Sequence, residues 1–167
     1  MSVEFVNQFD PTAIEAKIQR AQRSATQTTT TWADKLIKEK LIRLNPDIPQ
    51  SVIKKYRVFK KMRGGRGGEY GDILTGFNPV KAKFAGKIEV AEDGVFAGRF
   101  FFQKAFYAAI AHNTNREPSI YKRKGRSRFP VVEQKVEVLH VPELIESLLP
   151  VIAAEMKLRF ETKMGES

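Results

Sequence analysis

Apolar residues Ile14, Ile18, Ala21 and Ala25 recur every three or four positions along TAIEAKIQRAQRSA, one stripe of an amphipathic helix. Asp10-Pro11 stands just ahead of it. Asp can accept bonds from the free N–H groups of a first turn, and Pro is preorganised at the first helical position. The helical pattern resumes with Trp32, Leu36, Ile37, Lys40 and Leu41 and stops at Asn45-Pro46. Between the two lies Thr26-Gln27-Thr28-Thr29-Thr30-Thr31. β-Branched residues lose rotamer freedom in a helix. This run is therefore either the weak middle of one long helix or a break between two.

Further on, Val52, Ile53, Tyr56 and Phe59 share a face, and Ser51 can cap, so a short second helix is expected from about Pro49 to Lys60. RGGRGGEYGD over 63–72 has five glycines in eight residues and reads as a flexible loop. From Ile73 to Tyr107 the period changes. Short β-branched and aromatic runs are separated by turn residues, and Asp93-Gly94 between apolar runs signals a hairpin. Phe100, Phe102 and Phe106 sit at even spacing, on one side of a strand, with Phe101 opposite. Residues 112–129 read as a polar, basic loop or ragged hairpin. PVVEQKVEVLHV, 130–141, alternates as one more strand. Pro150 should interrupt the last helical stretch, leaving a turn over 142–148 and a helix over about 150–163. The expected fold is α+β: a long N-terminal helix, a short second helix, an antiparallel sheet of about four strands and a C-terminal helix, with the helices on one face of the sheet. The 167 residues fit a single domain, 1–167, and 42% apolar residues suffice for a core.

Charge changes this picture. The net charge is +10. Lys54, Lys55, Arg57, Lys60, Lys61, Arg63 and Arg66 stand in 51–68 without an acid. Arg116, Lys122, Arg123, Lys124, Arg126 and Arg128 stand in 116–128 against Glu117. The two windows contribute +7 and +5, so the remainder sums to −2. Such blocks attract polyanions, nucleic-acid phosphate first among them, although an acidic protein surface would serve and a solvated face needs no partner. In YKRKGRSRFP, Tyr121 and Phe129 flank the charges. They could stack on bases, but anchoring the loop to the core is the plainer reading.

Catalytic signatures are missing. The chain has no Cys, which excludes a disulfide framework, a Cys-based zinc site and a thiol nucleophile. His112 and His140 have no local partner that would make a triad, and no zinc, Walker or nucleophile-elbow motif occurs. No enzyme activity, metal or cofactor is expected. The N-terminus lacks a basic-then-apolar leader, and no apolar run reaches the ~20 residues of a spanning helix.

The order of features resembles the minor tail protein Z family of tailed bacteriophages, a group of tail-completion proteins. The likeness runs through a helical N-terminus rich in Ala, Gln, Ser and Thr (14–44) and the basic SVIKKYRVFKK. It continues through FFFQKAFYAAI, the basic turn KGRSRFPV, VEVLHVP and the closing LPVIAAEMKLRF. The resemblance implies a structural virion protein at the head-proximal end of the tail, assembled in the host cytoplasm. It would complete the tail at the head–tail junction, or neck, as an oligomeric ring around the DNA path. Its partners would be other tail and neck proteins, with sequence-indifferent phosphate contacts through the basic segments. The alternative is a free-standing, sequence-nonspecific nucleic-acid-binding protein.

Overall fold

The computed structural model describes residues 11–56, 58–65, 68–76, 78–109 and 117–166. The fold is α+β, with a long N-terminal helix, a C-terminal helix and several small antiparallel sheets between them.

Helix α1 runs unbroken from Pro11 to Leu44, 34 residues and so ~51 Å at 1.5 Å per residue. The threonine run does not break it, because three of its hydroxyls bond back to carbonyls one turn earlier within the helix. Thr28, Thr30 and Thr31 donate to the carbonyls of Ser24, Thr26 and Gln27 at 2.9, 2.7 and 2.9 Å. The run also packs. Thr26, Thr29 and Thr30 are buried with Ala21, Ala25 and Ala33, a face of small side chains that neighbouring backbone can approach closely. Asn45, itself buried, closes the helix. Its N–H and its Nδ2 each donate to the Leu41 carbonyl at 3.0 Å, and its Oδ1 accepts from the Leu139 N–H at 2.9 Å.

Helix α2 covers only Gln50–Tyr56, burying Val52 and Ile53. The sequence expectation of a helix to Lys60 and a loop over 63–72 is corrected here. Strand β1, Val58–Gly65, and strand β2, Gly68–Thr75, form an antiparallel hairpin in register from Val58↔Thr75 to Gly65↔Gly68. Tertiary contact outweighs local propensity. The hairpin lies on α1, and a Cβ on Gly71 would sit 1.9 Å from Thr30 Oγ1. Glycine at 71 is thus a close-approach residue within a strand rather than a mark of a loop.

The remaining strands are short: β3 Val80–Lys81, β4 Ile88–Ala91, β5 Gly94–Ala97, β6 Phe100–Gln103, β7 Ala105–Ala108, β8 Ser119–Arg123, β9 Val131–Glu133 and β10 Lys135–Val136. They make sheets β4-β5-β6, β7-β8-β9 and β3-β10, all antiparallel. With β1-β2 that is four small sheets among the described residues, in place of one sheet of about four strands. The expected hairpin is present: Ala91 pairs with Gly94 around Glu92-Asp93.

Two local devices split the longer runs. Lys104, at φ 58°, sits between β6 and β7 with its N–H on the Asp93 carbonyl at 2.7 Å. Phe100 and Phe102 therefore turn into the core while Phe101 stacks on Phe96, ring centres 4.6 Å apart, on the exposed side. Phe106 joins the next sheet beside Tyr121. Gln134 likewise divides the strand expected over 130–141. Its N–H donates to the Ile120 carbonyl of β8 at 2.8 Å and its carbonyl accepts from the Ala82 N–H, just past β3, at 2.9 Å, so its two sides serve two different neighbours.

Helix α3, Val141–Gly165, passes through Pro150 without interruption, contrary to the turn expected there. Pro150 removes only the donor to the Glu146 carbonyl, and both residues are exposed, so water can serve that oxygen. The first turns of α3 bury Val141, Leu144 and Leu148, which join Leu41, Ile53, Val58, Val95 and Ile120 in one hydrophobic core. The helix as a whole packs along α1.

Candidate polyanion-binding surface

The basic residues singled out by sequence do not come together. Lys54 and Lys55 stand exposed on α2, and Lys60 and Lys61 on β1. Successive strand residues point to opposite faces. Lys60 turns to α1, its Nζ 3.2 Å from Thr31 Oγ1, and Lys61 turns away. Arg63 lies in β1, its side chain outside the described residues, as are Arg57, Arg66, Arg116 and His112 altogether.

The second block forms the tip of the β7-β8-β9 sheet. Lys122, Arg123, Lys124, Arg126 and Arg128 are all exposed there. Residues 119–123 of the loop expected over 112–129 are strand β8. Arg123 lies over the Phe106 ring at 5.8 Å and Arg128 over Phe129 at 5.9 Å. Of the two aromatics expected to anchor this segment, Tyr121 does, at 8% exposure, whereas Phe129 is 55% exposed.

A third basic surface was not legible as a charge block. Three shallow depressions follow one another along α1. The first, about 480 Å³, is lined by Lys17, Arg20 and Ser24 with Lys163 of α3. The second, about 390 Å³, takes Gln27, Thr28, Thr31 and Lys35 with Arg159 of α3. The third, about 490 Å³, takes Lys35, Lys38, Glu39 and Arg43 with Lys54 of α2. Lys35 belongs to both of the last two, and Ser24 and Thr28 are one turn apart. Lys17, Arg20, Ser24, Thr28, Thr31 and Lys35 recur at three- and four-residue intervals, so they share one face. That spacing was the available signal. With Lys17 and Arg20 at one end, Lys35 at the other and neutral residues of the face between them, these charges never make a dense window.

Ion pairing divides the cations of this face. Lys163 is paired with Glu166, Arg159 with Glu155 at 2.7 Å, and Lys38 with Asp34 at 2.8 Å. Arg159 also lies over the Trp32 ring, at 5.7 Å. Lys17, Arg20, Lys35, Arg43 and Lys54 make no ion pair among the described residues.

The carboxylates with displaced acidity lie elsewhere and hold sheets together. Burial pushes Glu133 upward, but the Ser119 hydroxyl, donating at 2.7 Å, and the Lys81 ammonium at 3.1 Å outweigh it and hold the carboxyl below its usual range. Glu117 is also lowered, by its hydrogen bond and charge contact with Lys83. Among the described residues no group of three or more His, Asp or Glu could hold a metal ion, and no helix is long and apolar enough to cross a membrane. In comparisons with protein-family models, curated proteins and solved structures, none matches this chain.

Proposed function

We propose that the chain is a structural subunit of a tailed-phage particle. It completes the head-proximal end of the tail at the head–tail junction, where copies close into a ring around the DNA path. The observation that carries this reading is the presence of two unlike exposed apolar patches on one subunit. Phe96 and Phe101 stack on the outside of the β4-β5-β6 sheet, and Val151 and Leu158, seven residues apart, share an outer face of α3. Unlike patches on separate elements suit a head-to-tail contact, the kind that generates rings. The resemblance of motif order to the tail-completion family supports the same reading, and the basic surfaces give such a ring a means of holding DNA by phosphate contact. The role is assembly and binding, without catalysis, and its place is the virion tail.

The second reading, a free-standing nonspecific nucleic-acid binder, is favoured by one observation: the α1 depressions are complete within a single chain. Deleting the coding sequence from the phage genome that carries it separates the two. Negative-stain electron microscopy of the lysate, with infectivity counted in parallel, should show filled heads with detached or malformed tails, or joined particles that fail to infect. Normal, infectious particles would overturn the tail reading.

A further inference from the structure

We propose that the outer face of α1, from Lys17 to Arg43, is a continuous track for the sugar-phosphate backbone of duplex DNA. Four features of the face argue for it. It is long: 26 residues of rise at 1.5 Å make ~39 Å, the length of about one turn of B-DNA. It is cationic with little internal neutralisation, since Lys17, Arg20, Lys35, Arg43 and Lys54 face only Glu39 among the lining acids. Between the cations stand Ser24 and Gln27, neutral groups that can donate to phosphate oxygens. Finally, the aromatic ring at its centre, Trp32, is covered by Arg159 and offers no bare platform for an unstacked base. Charge and donors without a stacking surface favour an intact duplex backbone over a single strand. They also favour contact without sequence readout.

The track requires neither a second copy nor the ring, so it is testable on the purified chain while the tail reading is tested on particles. One can fail without the other. Binding of a fluorescent duplex of arbitrary sequence is measured by anisotropy over a salt series. Five unpaired cations predict a slope of log K against log salt near about −4.5, hence a loss of about 500-fold between 50 and 200 mM. Arg20→Gln, Lys35→Gln and Lys54→Gln together take one exposed cation from each depression. They should bring the slope to about −1.8, a loss of only about tenfold over the same range. The matched variant Lys122→Gln, Lys124→Gln, Arg126→Gln should keep the wild-type slope. Circular dichroism melts check that both variants fold, as substitutions at exposed side chains should. Three results would each overturn the track. In one, the trough variant keeps the wild-type slope while the tip variant loses it. In another, a single strand of equal length binds more tightly than the duplex. In the third, poly-glutamate but not DNA binds, which would make the face a docking site for acidic protein.

Discussion

Where β2 crosses α1, the backbone at Gly71 comes so near Thr30 that no side chain fits between them. In the small sheets the opposite holds: Ile120, fully buried, fills the space between β8 and its neighbours with one of the largest enclosed side chains of the molecule. The α1 face from Ala21 to Ala33 is built by small residues that let a strand approach, and the packing around β8 by a branched aliphatic that fills what short strands leave open. The two should therefore fail in opposite ways, the first when atoms are added and the second when they are removed.

Ile120→Ala is the largest expected break. Removing a fully buried branched side chain leaves a cavity that four short sheets collapse into poorly, and the cost should be about 3 kcal/mol by urea denaturation. A cost under about 1 kcal/mol would mean that the sheet half is not close-packed. Gly71→Ala adds a single methyl and should still cost about 2 kcal/mol, because Thr30 is β-branched and its hydroxyl is already committed to the Thr26 carbonyl. Combining it with Thr30→Ala removes the two closest clashing atoms and should recover part of that loss, a non-additivity that a general strand effect of glycine replacement would not produce.

The smallest effect sharpens the contrast in electrostatics. In the sheet half, charge is structural. Glu133 is held below its usual acidity range in the folded state, so it stabilises the fold above the unfolded-state value and stops doing so as the pH falls through its lowered folded value. The urea midpoint of the wild type should therefore fall more steeply on acidification than that of Glu133→Gln, the two curves converging at low pH. At neutral pH the difference should stay below about 1 kcal/mol, since Lys81 is half exposed. Parallel curves would remove Glu133 from the account of sheet stability.

Much of the architecture was readable from period alone. The stripe Ile14, Ile18, Ala21, Ala25 marked α1, and Asp93-Gly94 marked the β4–β5 hairpin, because both are local consequences of side-chain spacing. What was not readable depended on distant partners. Glycine 71 looks like a loop residue until Thr30 is opposite it, and Pro150 looks like a stop until the exposure of Glu146 is known. Lys104 and Gln134 divide apparent long strands through bonds to Asp93, Ile120 and Ala82 that no window of sequence contains. The candidate site behaved likewise. Dense charge blocks pointed to Lys122–Arg128, whereas the α1 track is assembled from singly spaced cations of α1, α2 and α3.

Asn45 joins the end of α1 to Leu139, 94 positions later, and α1 then packs along a helix made of the last residues of the chain. Closing a loop of that size costs about 4 kcal/mol of chain entropy before any contact repays it. Helix α1 is thus made well before α3, the helix that packs along it. At synthesis rates of about 10 residues per second, the part of α1 beside α3, such as Ala21 near Lys163, stays open for roughly ten seconds, whereas the β1-β2 hairpin reaches Thr30 within a few. Small, weakly apolar side chains on that face suit the wait, because a leucine seam exposed for as long would invite association with the wrong neighbour.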